Sequence, residues 1–283
     1  MENQQKVWFV TGASKGLGLS LVKKLLSQGY QVAATSRNAA DLSAAVGEAT
    51  ASSFLPLAMN LKDEESVGQA IAQTINQFGH LDVVVNNAGY GLIGGLEELT
   101  DAEARDNFDV NVFGSLNVIR KALPHLRAQK SGHIINIASI GGFAGNFPGF
   151  GIYCATKFAV HGFTEALAAE IKDFGLYATV VSPGYFRTNF LAADSAVIPK
   201  NAIDAYESIR QSQKAHEEEI NGNQPGDPDK AAEAMIELSN AENPPVHLFL
   251  GEDAYNMAYT KIDAIKVDLE SWKTVTTGTN FTA

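Results

Sequence analysis

The sequence lacks several features that whole classes of protein need. It has one cysteine in 283 residues, Cys154, so it cannot form an internal disulfide, which fits a reducing cytoplasm. It has no apolar run of about 18 residues, so we expect no membrane-spanning helix. The polar start "MENQQKVWFV" does not have the form of a secretion signal. Positive charge is also scarce, since 21 Lys and Arg against 32 Asp and Glu give a net charge of −11. This acidity argues against nucleic acid, an anionic membrane or an acidic carrier protein as the main partner.

What the chain does have is a regular alternation of strand and helix patterns in its first half. Short apolar runs occur at "VWFVT", "QVAAT", "LDVVVN", "HIINIAS" and "YATVVSP", and each predicts a buried strand. Longer stretches with helical periodicity lie between them. The alternation predicts an α/β fold, a Rossmann-type doubly wound parallel sheet in three α/β/α layers, with residues 1–283 forming a single domain.

Residue types at the ends of the predicted helices support this assignment. Gly29, Gly79 and Gly175 each follow a helical stretch, where glycine readily takes the left-handed conformation that ends a helix. The stretch "TDAEARDNFDVNVFGSLNVIRKALPHL" predicts one long helix, and Thr100 with Glu103 three residues later forms a capping box at its start.

The pattern changes after the strand that ends at Pro183. Residues 190–226 are polar and charged, and Asp227 with Pro228 then has the form of a helix start. "PPVHLFLG" predicts a last strand, and residues 251–283 predict a C-terminal helical extension.

The first predicted strand runs directly into "TGASKGLG" and then into a helix. Gly12, Gly16 and Gly18 would let the backbone turn sharply and approach a pyrophosphate, for which the helix N-terminus offers free N–H groups. The alternative is a tight turn that binds nothing. The position after the first strand of a doubly wound pattern favours the phosphate-binding interpretation.

The stretch "YCATK" places Tyr153 four residues before Lys157, so the two side chains share one face of a helix. Such a pair is common and carries little weight alone. Ser139 ends the preceding strand, at the sheet edge where ligands bind in open α/β sheets. Together "TGASKGLG", "NNAG" (86–89), Asn111, Ser139, "YCATK" and "SPG" (182–184) resemble, in order and approximate spacing, the short-chain dehydrogenase/reductase family. The resemblance covers about the first 190 residues.

The resemblance implies a catalytic role for each of four residues. Tyr153 is the general acid in carbonyl reduction and the base in alcohol oxidation, and Ser139 holds the substrate oxygen. Lys157 binds the nicotinamide ribose and favours tyrosinate, while Asn111 holds a water that carries protons to Lys157. A free tyrosine has a pKa of about 10, and a nearby ammonium and an oxidised nicotinamide would both favour the phenolate.

The end of the second strand predicts which nicotinamide cofactor binds. NAD-binding folds place an acid about 20 residues after the glycines, but here Ser36 stands in that place and Arg37 follows it. Arg37 and Lys15 would suit a 2′-phosphate, which predicts NADP(H), unless both are ordinary surface cations. The expected cofactor-binding residues are Gly12, Ser14, Lys15, Gly16, Leu17, Gly18, Ser36, Arg37, Asn60, Leu61, Asn87, Ala88, Gly89, Tyr153, Lys157, Pro183, Gly184 and Thr188.

The expected substrate is a bulky hydrophobic ketone or aldehyde, because the segments around the nicotinamide are rich in aromatic residues. The predicted substrate-binding residues are Ser139, Tyr90, Phe143, Phe147, Phe150, Tyr185 and Phe190. In similar proteins the segment corresponding to 190–226 covers the substrate as a lid. The whole pattern is similar to the branch of hydroxysteroid, retinol and carbonyl reductases. The loop from Ser139 to Tyr153 is one residue longer than usual, and its glycines could absorb the extra residue.

Other interpretations stay open from the sequence alone. The protein could be a 3-oxoacyl reductase, although its acidity and longer C-terminus argue against this, or an NADP(H)-binding regulator without turnover. A nucleotide-sugar epimerase fits the glycine spacing less well. The six histidines are scattered without metal-like spacing, so we expect no catalytic metal. The resemblance implies a homodimer through the two long helices that contain Asn111 and Tyr153.

Overall fold

The centre of the molecule is a parallel sheet of seven strands, in the order β3-β2-β1-β4-β6-β7-β9. The structure is a computed structural model that describes residues 5–191, 196–197 and 201–281. The strands of the sheet are β1 (Val7–Val10), β2 (Gln31–Ser36), β3 (Phe54–Ala58), β4 (Val83–Asn86), β6 (Gly132–Ile137), β7 (Leu176–Pro183) and β9 (His247–Leu250). The strand order reverses between β1 and β4, which confirms the doubly wound fold.

Strand β1 shows why the sheet is buried on both faces. Its four side chains are completely buried, and successive side chains point to opposite faces of the sheet. Trp8 and Val10 belong to one core cluster, whereas Val7 and Phe9 belong to the other. The continuous apolar pattern of the strand follows from this double burial.

The helices cover both faces of the sheet. Leu21 and Leu25 of one helix and Met235 of another pack in the first core cluster, while Ile71, Val118 and other helical residues pack in the second. The helices are α1 (Gly16–Ser27), α2 (Ala39–Val46), α3 (Glu64–Phe78), α4 (Asp101–Phe108), α5 (Gly114–Gln129), α6 (Gly151–Ile171), α7 (Glu207–Lys214), α8 (Pro228–Asn240), α9 (Glu252–Ser271) and α10 (Lys273–Thr277). The three α/β/α layers are therefore as expected.

The long helix expected from residue 100 is interrupted. The capping box of Thr100 and Glu103 is present at its start. However, the segment Asp109–Phe113 is π-helical and separates α4 from α5. Such π-helical turns are rare and often occur at functional sites. The apolar periodicity continues through the interruption, so the sequence carries no signal for it.

Strand β3 was not among the strands named from the sequence. Its sequence "FLPLA" contains Pro56, which cannot donate a backbone hydrogen bond. The strand lies at the edge of the sheet, where proline is tolerated, and its side chains are only partly buried. These properties weaken the pattern of a buried strand.

The segment predicted as a lid, 190–226, contains helix α7 and the π-helical turn Ala215–Ile220. A short parallel pair, β5 (Gly91–Leu92) with β8 (Ala196–Val197), joins it to the rest of the chain, and 192–195 and 198–200 lie outside the described residues. Asp227 caps α8 as expected.

The C-terminal extension forms α9 and α10. Ala254 and Ala258 at the start of α9 pack against Ile140 and Ala144, whereas all residues from 263 to 281 are exposed. Within the described parts of the chain, no helix combines the length and the apolar character needed to cross a membrane.

Candidate active site

The turns after β1 and β4 are tied together at the carboxyl edge of the sheet. The Thr11 hydroxyl accepts hydrogen bonds from the backbone N–H groups of Asn87 and Ala88, at 3.0 and 3.1 Å. The amide of Asn87 donates to the carbonyl oxygens of Thr11 and Gly12, both at 2.9 Å. The "TGASKGLG" and "NNAG" stretches therefore form one hydrogen-bonded unit.

Glycine is required at two positions of this unit. Gly12 has a φ of +65°, and a Cβ there would lie 2.6 Å from the Cα atom of Ala88. A Cβ at Gly18 would lie 2.4 Å from the amide nitrogen of Asn87. Helix α1 begins at Gly16, and the side chain of Lys15 makes no capping hydrogen bond there. The close-packed turn and the uncapped helix start fit the pyrophosphate of a dinucleotide.

Thr188 lies beside the glycine turn, next to Gly16. A Cβ added at Gly16 would be 3.7 Å from the Cβ atom of Thr188. Ser14 and Leu17 are both half-buried in the turn, and Leu17 packs against the first core cluster. The glycine turn and Thr188 are far apart in the sequence, but they lie side by side at the expected pyrophosphate site.

The end of β2 presents Ser36 and Arg37 at the place expected for the adenosine. The Ser36 hydroxyl donates to the carbonyl oxygen of Asn38 at 2.6 Å, and Arg37 is exposed. On the neighbouring turn, the side-chain oxygen of Asn60 accepts a hydrogen bond from the backbone of Lys62 at 3.1 Å. The guanidinium of Arg37 is accessible to a ligand, while the hydroxyl of Ser36 already has a partner.

Leu61 and Gly89 are held in place by helix α5 and the π-helical turn before it. The carbonyl oxygen of Leu61 accepts from Asn117 at 2.8 Å, and its side chain packs beside Gly114. A Cβ at Gly89 would lie 2.9 Å from the side-chain oxygen of Asn111. Gly89 thereby brings the "NNAG" turn against the predicted catalytic residues.

The "SPG" stretch is anchored by a residue that the sequence analysis missed. Asp253, in the first turn of α9, accepts a hydrogen bond from the backbone N–H of Tyr185 at 2.7 Å. A Cβ at Gly184 would lie 2.3 Å from the Asp253 carboxylate, so only glycine fits there. Pro183 ends β7 immediately before this contact. The only advance signal was an acid at the start of a predicted helix.

Tyr153 and Lys157 lie one turn apart near the start of α6, and both are buried. The side chain of Ser139 lies close enough to the Tyr153 hydroxyl to lower its pKa. The ammonium of Lys157 donates to the carbonyl oxygen of Ile137 at 2.9 Å and lies 5.8 Å from the centre of the Tyr153 ring. Three of the four predicted catalytic side chains therefore meet at the end of β6.

Burial shifts the pKa values of both titrating groups toward their neutral forms. Loss of solvent raises the pKa of Tyr153, and the nearby Ser139 side chain acts in the opposite direction. Burial lowers the pKa of Lys157 to about 8. At neutral pH Tyr153 is thus a phenol, the form that can give a proton to a carbonyl oxygen.

Asn111 lies in the π-helical turn, and both the nitrogen and the oxygen of its side chain make hydrogen bonds within the protein. Its amide nitrogen donates to the Tyr90 carbonyl and to the Thr156 hydroxyl, both at 3.1 Å, and its oxygen accepts from the Tyr90 N–H at 3.0 Å. These bonds place the "NNAG" turn against helix α6. That Asn111 also holds a proton-carrying water stays a prediction.

The longer loop between Ser139 and Tyr153 is accommodated by its glycines. A Cβ at Gly142 would lie 2.6 Å from the carbonyl oxygen of Lys157, and Gly149 has a φ of +83°. The loop begins with a short 3₁₀ turn after Ser139. Ser139 lies close enough to Tyr153 to lower the pKa of its phenol, so this loop brings the two residues together.

Phe147, Phe150 and Phe190 surround Tyr153. The ring centres of Phe150 and Phe190 lie 6.2 and 5.8 Å from that of Tyr153, and Phe147 packs on Phe150 at 6.5 Å. These rings form an apolar wall beside the phenol. Such a wall suits an apolar substrate and excludes water.

Two predicted substrate-binding residues, Tyr90 and Phe143, make contacts away from this wall, so their role in substrate binding stays a prediction. The Tyr90 hydroxyl donates to Asp106 at 2.8 Å, which directs the side chain toward α4. Phe143 packs edge-to-face on Phe249 at 5.2 Å, in the cluster beneath α9. Sequence proximity to Ser139 could not reveal that the C-terminal extension needs this ring for its own packing.

The structure adds three residues that the sequence analysis did not assign to the site. Ile93 and Cys154 belong to the same buried cluster as Tyr153, and His216 stacks near Phe150 at 4.7 Å. Burial raises the pKa of the Cys154 thiol to about 11, which agrees with a packing role. His216 lies in the lid segment, where polar composition hid its contact with the site.

The histidines are less scattered than the sequence suggests. His161 and Glu165 lie one turn apart on α6, and His247 of β9 joins them. One donor atom of each lies within 4.8 Å of the others. His161 already hydrogen-bonds to the Ser182 hydroxyl at 2.8 Å, which accounts for its burial.

Comparison with known proteins decides the family. The model of the short chain dehydrogenase family matches residues 6–197. The protein belongs to the short-chain dehydrogenase/reductase family. It is therefore an oxidoreductase of a family that uses a nicotinamide cofactor.

The similarity extends over nearly the whole chain. The oxidoreductase BOA17 of Botryotinia fuckeliana is 34% identical over 275 residues, 95% of this chain and 97% of the relative. A 3-ketodihydrosphingosine reductase of Bacteroides thetaiotaomicron is 35% identical over 250 residues, 88% of each chain. The crystal structure of a short-chain dehydrogenase from Streptomyces avermitilis superposes with a TM-score of 0.89 at 34% identity, covering 99% of this chain and 100% of that one. The C-terminal extension therefore has a counterpart in a solved family member.

Proposed function

We propose that the protein is an NADP(H)-dependent oxidoreductase that interconverts a hydrophobic ketone or aldehyde and its alcohol. The observation that carries this proposal is the Tyr153 phenol, which lies near the Ser139 side chain and the Lys157 ammonium and beside an aromatic wall. The close-packed glycine turn lies at the same edge of the sheet.

In this mechanism the bound nicotinamide supplies or accepts the hydride. Ser139 holds the carbonyl oxygen by donating a hydrogen bond, and Tyr153 gives that oxygen its proton during reduction. Lys157 stabilises the negative charge that then develops on Tyr153. Positioned acids of this kind contribute about 10² to 10⁴ in rate. The aromatic wall keeps water away from the reacting carbon.

The preference for NADP(H) rests on the end of β2. Arg37 is exposed there, and Ser36 occupies the position of the usual acid. A planar guanidinium can make paired hydrogen bonds to a 2′-phosphate. Lys15, at the start of α1 in the glycine turn, is a second cation in the motif.

The substrate class is supported by the pocket and by one relative. The side chains that surround Tyr153 are mainly aromatic and aliphatic. The relative from Bacteroides thetaiotaomicron is named for reducing 3-ketodihydrosphingosine, a ketone with a long apolar chain. We extend that substrate class, not that substrate, to this protein.

Label transfer tests the proposal directly. The protein would be mixed with NADPH carrying deuterium at C4 of the nicotinamide and with a panel of apolar ketones and aldehydes. We expect deuterium on the carbinol carbon of the product alcohol, seen by mass spectrometry. Tight NADPH binding without label in any product would instead favour a cofactor-binding regulator.

We also propose a homodimer in the cytoplasm. Phe113 and Phe158, 53% and 44% exposed, lie on the helical segments that contain Asn111 and Tyr153. Pairing of these surfaces would cover both rings. The single buried cysteine is compatible with a reducing compartment.

A further inference from the structure

A polar pair lies beyond the aromatic wall of the proposed substrate site. The Tyr185 hydroxyl is 3.0 Å from Nε2 of His216, which is only 8% exposed. The Phe150 ring lies between this pair and the catalytic residue, 4.7 Å from the His216 ring and 6.2 Å from the Tyr153 ring. The pair is therefore one aromatic ring away from the phenol that would donate the proton.

The neighbours of His216 fix the direction of the hydrogen bonds. Nδ1 of His216 lies 2.7 Å from the backbone carbonyl oxygen of Ser212. A carbonyl can only accept, so Nδ1 carries the hydrogen. In the neutral imidazole Nε2 is then an acceptor, and the Tyr185 hydroxyl must donate to it. The Tyr185 oxygen keeps its lone pairs for another donor.

Tyr185 is held in place by its backbone. Its N–H donates to Asp253 at 2.7 Å, and its carbonyl oxygen accepts from the N–H of Gly226 at 2.9 Å. Burial raises the pKa of Tyr185, which keeps it a neutral phenol. The Tyr185 ring centre lies 5.8 Å from that of His216, so Tyr185 adjoins the ring system that reaches Tyr153 through Phe150.

We propose that Tyr185, oriented by His216, accepts a hydrogen bond from a hydroxyl or amino group at a second position of the substrate. The inference rests on the proposed function and narrows its substrate class. The substrate is then an apolar carbonyl compound with a separate hydrogen-bond donor, and an ether or an unsubstituted analogue lacks the group that Tyr185 recognises. Sites built around a polar partner discriminate more strongly than purely apolar pockets.

Three matched ketones test this inference. Each is an aryl alkyl ketone that carries, at its far end, a hydroxyl, a methoxy group or hydrogen, and the spacer is lengthened one carbon at a time. The readout is the ratio of kcat/KM for the hydroxyl and methoxy compounds at the best spacer length. We expect a ratio of about tenfold in the wild type, the contribution of one neutral hydrogen bond.

Tyr185→Phe removes the acceptor and keeps the ring. We expect the ratio to fall to about one, with the hydroxyl compound losing about tenfold in kcat/KM. Tyr177→Phe makes the same chemical change at an exposed position whose hydroxyl bonds only to the Glu242 carbonyl, and should leave the ratio unchanged. If the Tyr185–His216 pair only stabilised the position of the lid segment, Tyr185→Phe would lower kcat/KM equally for all three ketones and leave the ratio unchanged. That result, or a wild-type ratio of one, would overturn the inference.

A binding measurement separates this inference from the proposed function. Calorimetry with the NADPH complex of Tyr153→Phe ranks the three compounds without turnover. If the wild type reduced none of them but this complex bound the hydroxyl compound about tenfold more tightly than the ether, the proposed function would fail and the inference would hold. Equal binding, or no binding of any of the three, would overturn the inference.

Discussion

At the scale of the residue, burial governs the titrating groups of the site. It raises the pKa of Tyr153 and lowers that of Lys157 to about 8. The family resemblance implies that Lys157 and the cofactor charge favour tyrosinate, but within the protein alone loss of solvent has the largest effect on the pKa of Tyr153. In this state Tyr153 is a phenol, the form that can give a proton to a carbonyl oxygen.

The lowered pKa of Lys157 has a consequence for stability. Between about pH 8 and 10.5 the unfolded chain binds a proton that the folded chain does not, so the free energy of unfolding should rise with pH. Lys157→Met removes this contribution. We expect the stability of the wild type relative to the variant to increase from pH 8 to 10.5, measured by urea denaturation. A difference that stays constant over this range would show that the lysine is not shifted.

Arg37 is a single residue that we propose selects the cofactor, through its exposed guanidinium. Arg37→Asp should weaken NADPH binding and strengthen NADH binding, since a carboxylate repels the 2′-phosphate and bonds a ribose hydroxyl. We expect the ratio of the two dissociation constants to change by about a hundredfold, equivalent to two charge-assisted hydrogen bonds. Calorimetry with both cofactors measures it. Unchanged affinities would mean that Arg37 is an ordinary surface cation.

At the scale of the element, the turn after β1 depends on its glycines. Gly12→Ala places a Cβ 2.6 Å from the backbone of Ala88 at a φ of +65°, so the turn must shift. We expect a loss of about 2 kcal/mol in the free energy of unfolding and weaker cofactor binding.

Gly162→Ala provides the matched control for this substitution. Gly162 lies within α6, and a Cβ there would meet nothing within 4 Å. Alanine should stabilise the helix there by about 0.5 to 1 kcal/mol. Thermal or urea denaturation measures both. Equal effects of the two substitutions would contradict the packing argument.

Some of the strands and helices could be predicted from the sequence, and others could not. Strands such as β1 were predictable because both of their faces are buried, which leaves a continuous apolar run. The edge strand β3 was not, because Pro56 and incomplete burial weaken its apolar pattern, and the π-helical turn at Asn111 was not, because the apolar periodicity continues through it.

In the site, the sequence predicted which residues of the local motifs lie close together. It did not predict the contacts that depend on packing between distant elements. Tyr153, Lys157 and Ser139 meet because two motifs end at one sheet edge. The hydrogen bond from Tyr90 to Asp106 could not be predicted, because Asp106 lies on another element. His216 was missed because its contact depends on where the lid segment folds back.

At the scale of the whole molecule, the segment that follows residue 200 is fastened to the rest of the protein by a buried acid. Glu98 accepts hydrogen bonds from the N–H groups of Gly95 and Ile203, both at 2.7 Å, and pairs with Arg210 of α7. These hydrogen bonds and Arg210 offset the cost of burial and lower the pKa of Glu98. The carboxylate therefore stays charged and holds α7 near the aromatic wall.

The proposed dimer is tested at this scale. Phe158→Asp puts a charge into the apolar surface expected to pair, which should shift the protein toward monomer in sedimentation velocity. Phe174→Asp is the control, because Phe174 is 43% exposed but follows α6 at its far end. Loss of association in both variants, or in neither, would contradict this interface.

The central claim is that Tyr153 is the proton donor of a carbonyl reductase, and Tyr153→Phe tests it most directly. NADPH oxidation would be followed with the best ketone or aldehyde for the wild type and the variant. We predict that kcat falls a hundredfold or more, about 3 kcal/mol of transition-state stabilisation, while the variant still binds NADPH. Turnover that survives the loss of the hydroxyl would contradict the account.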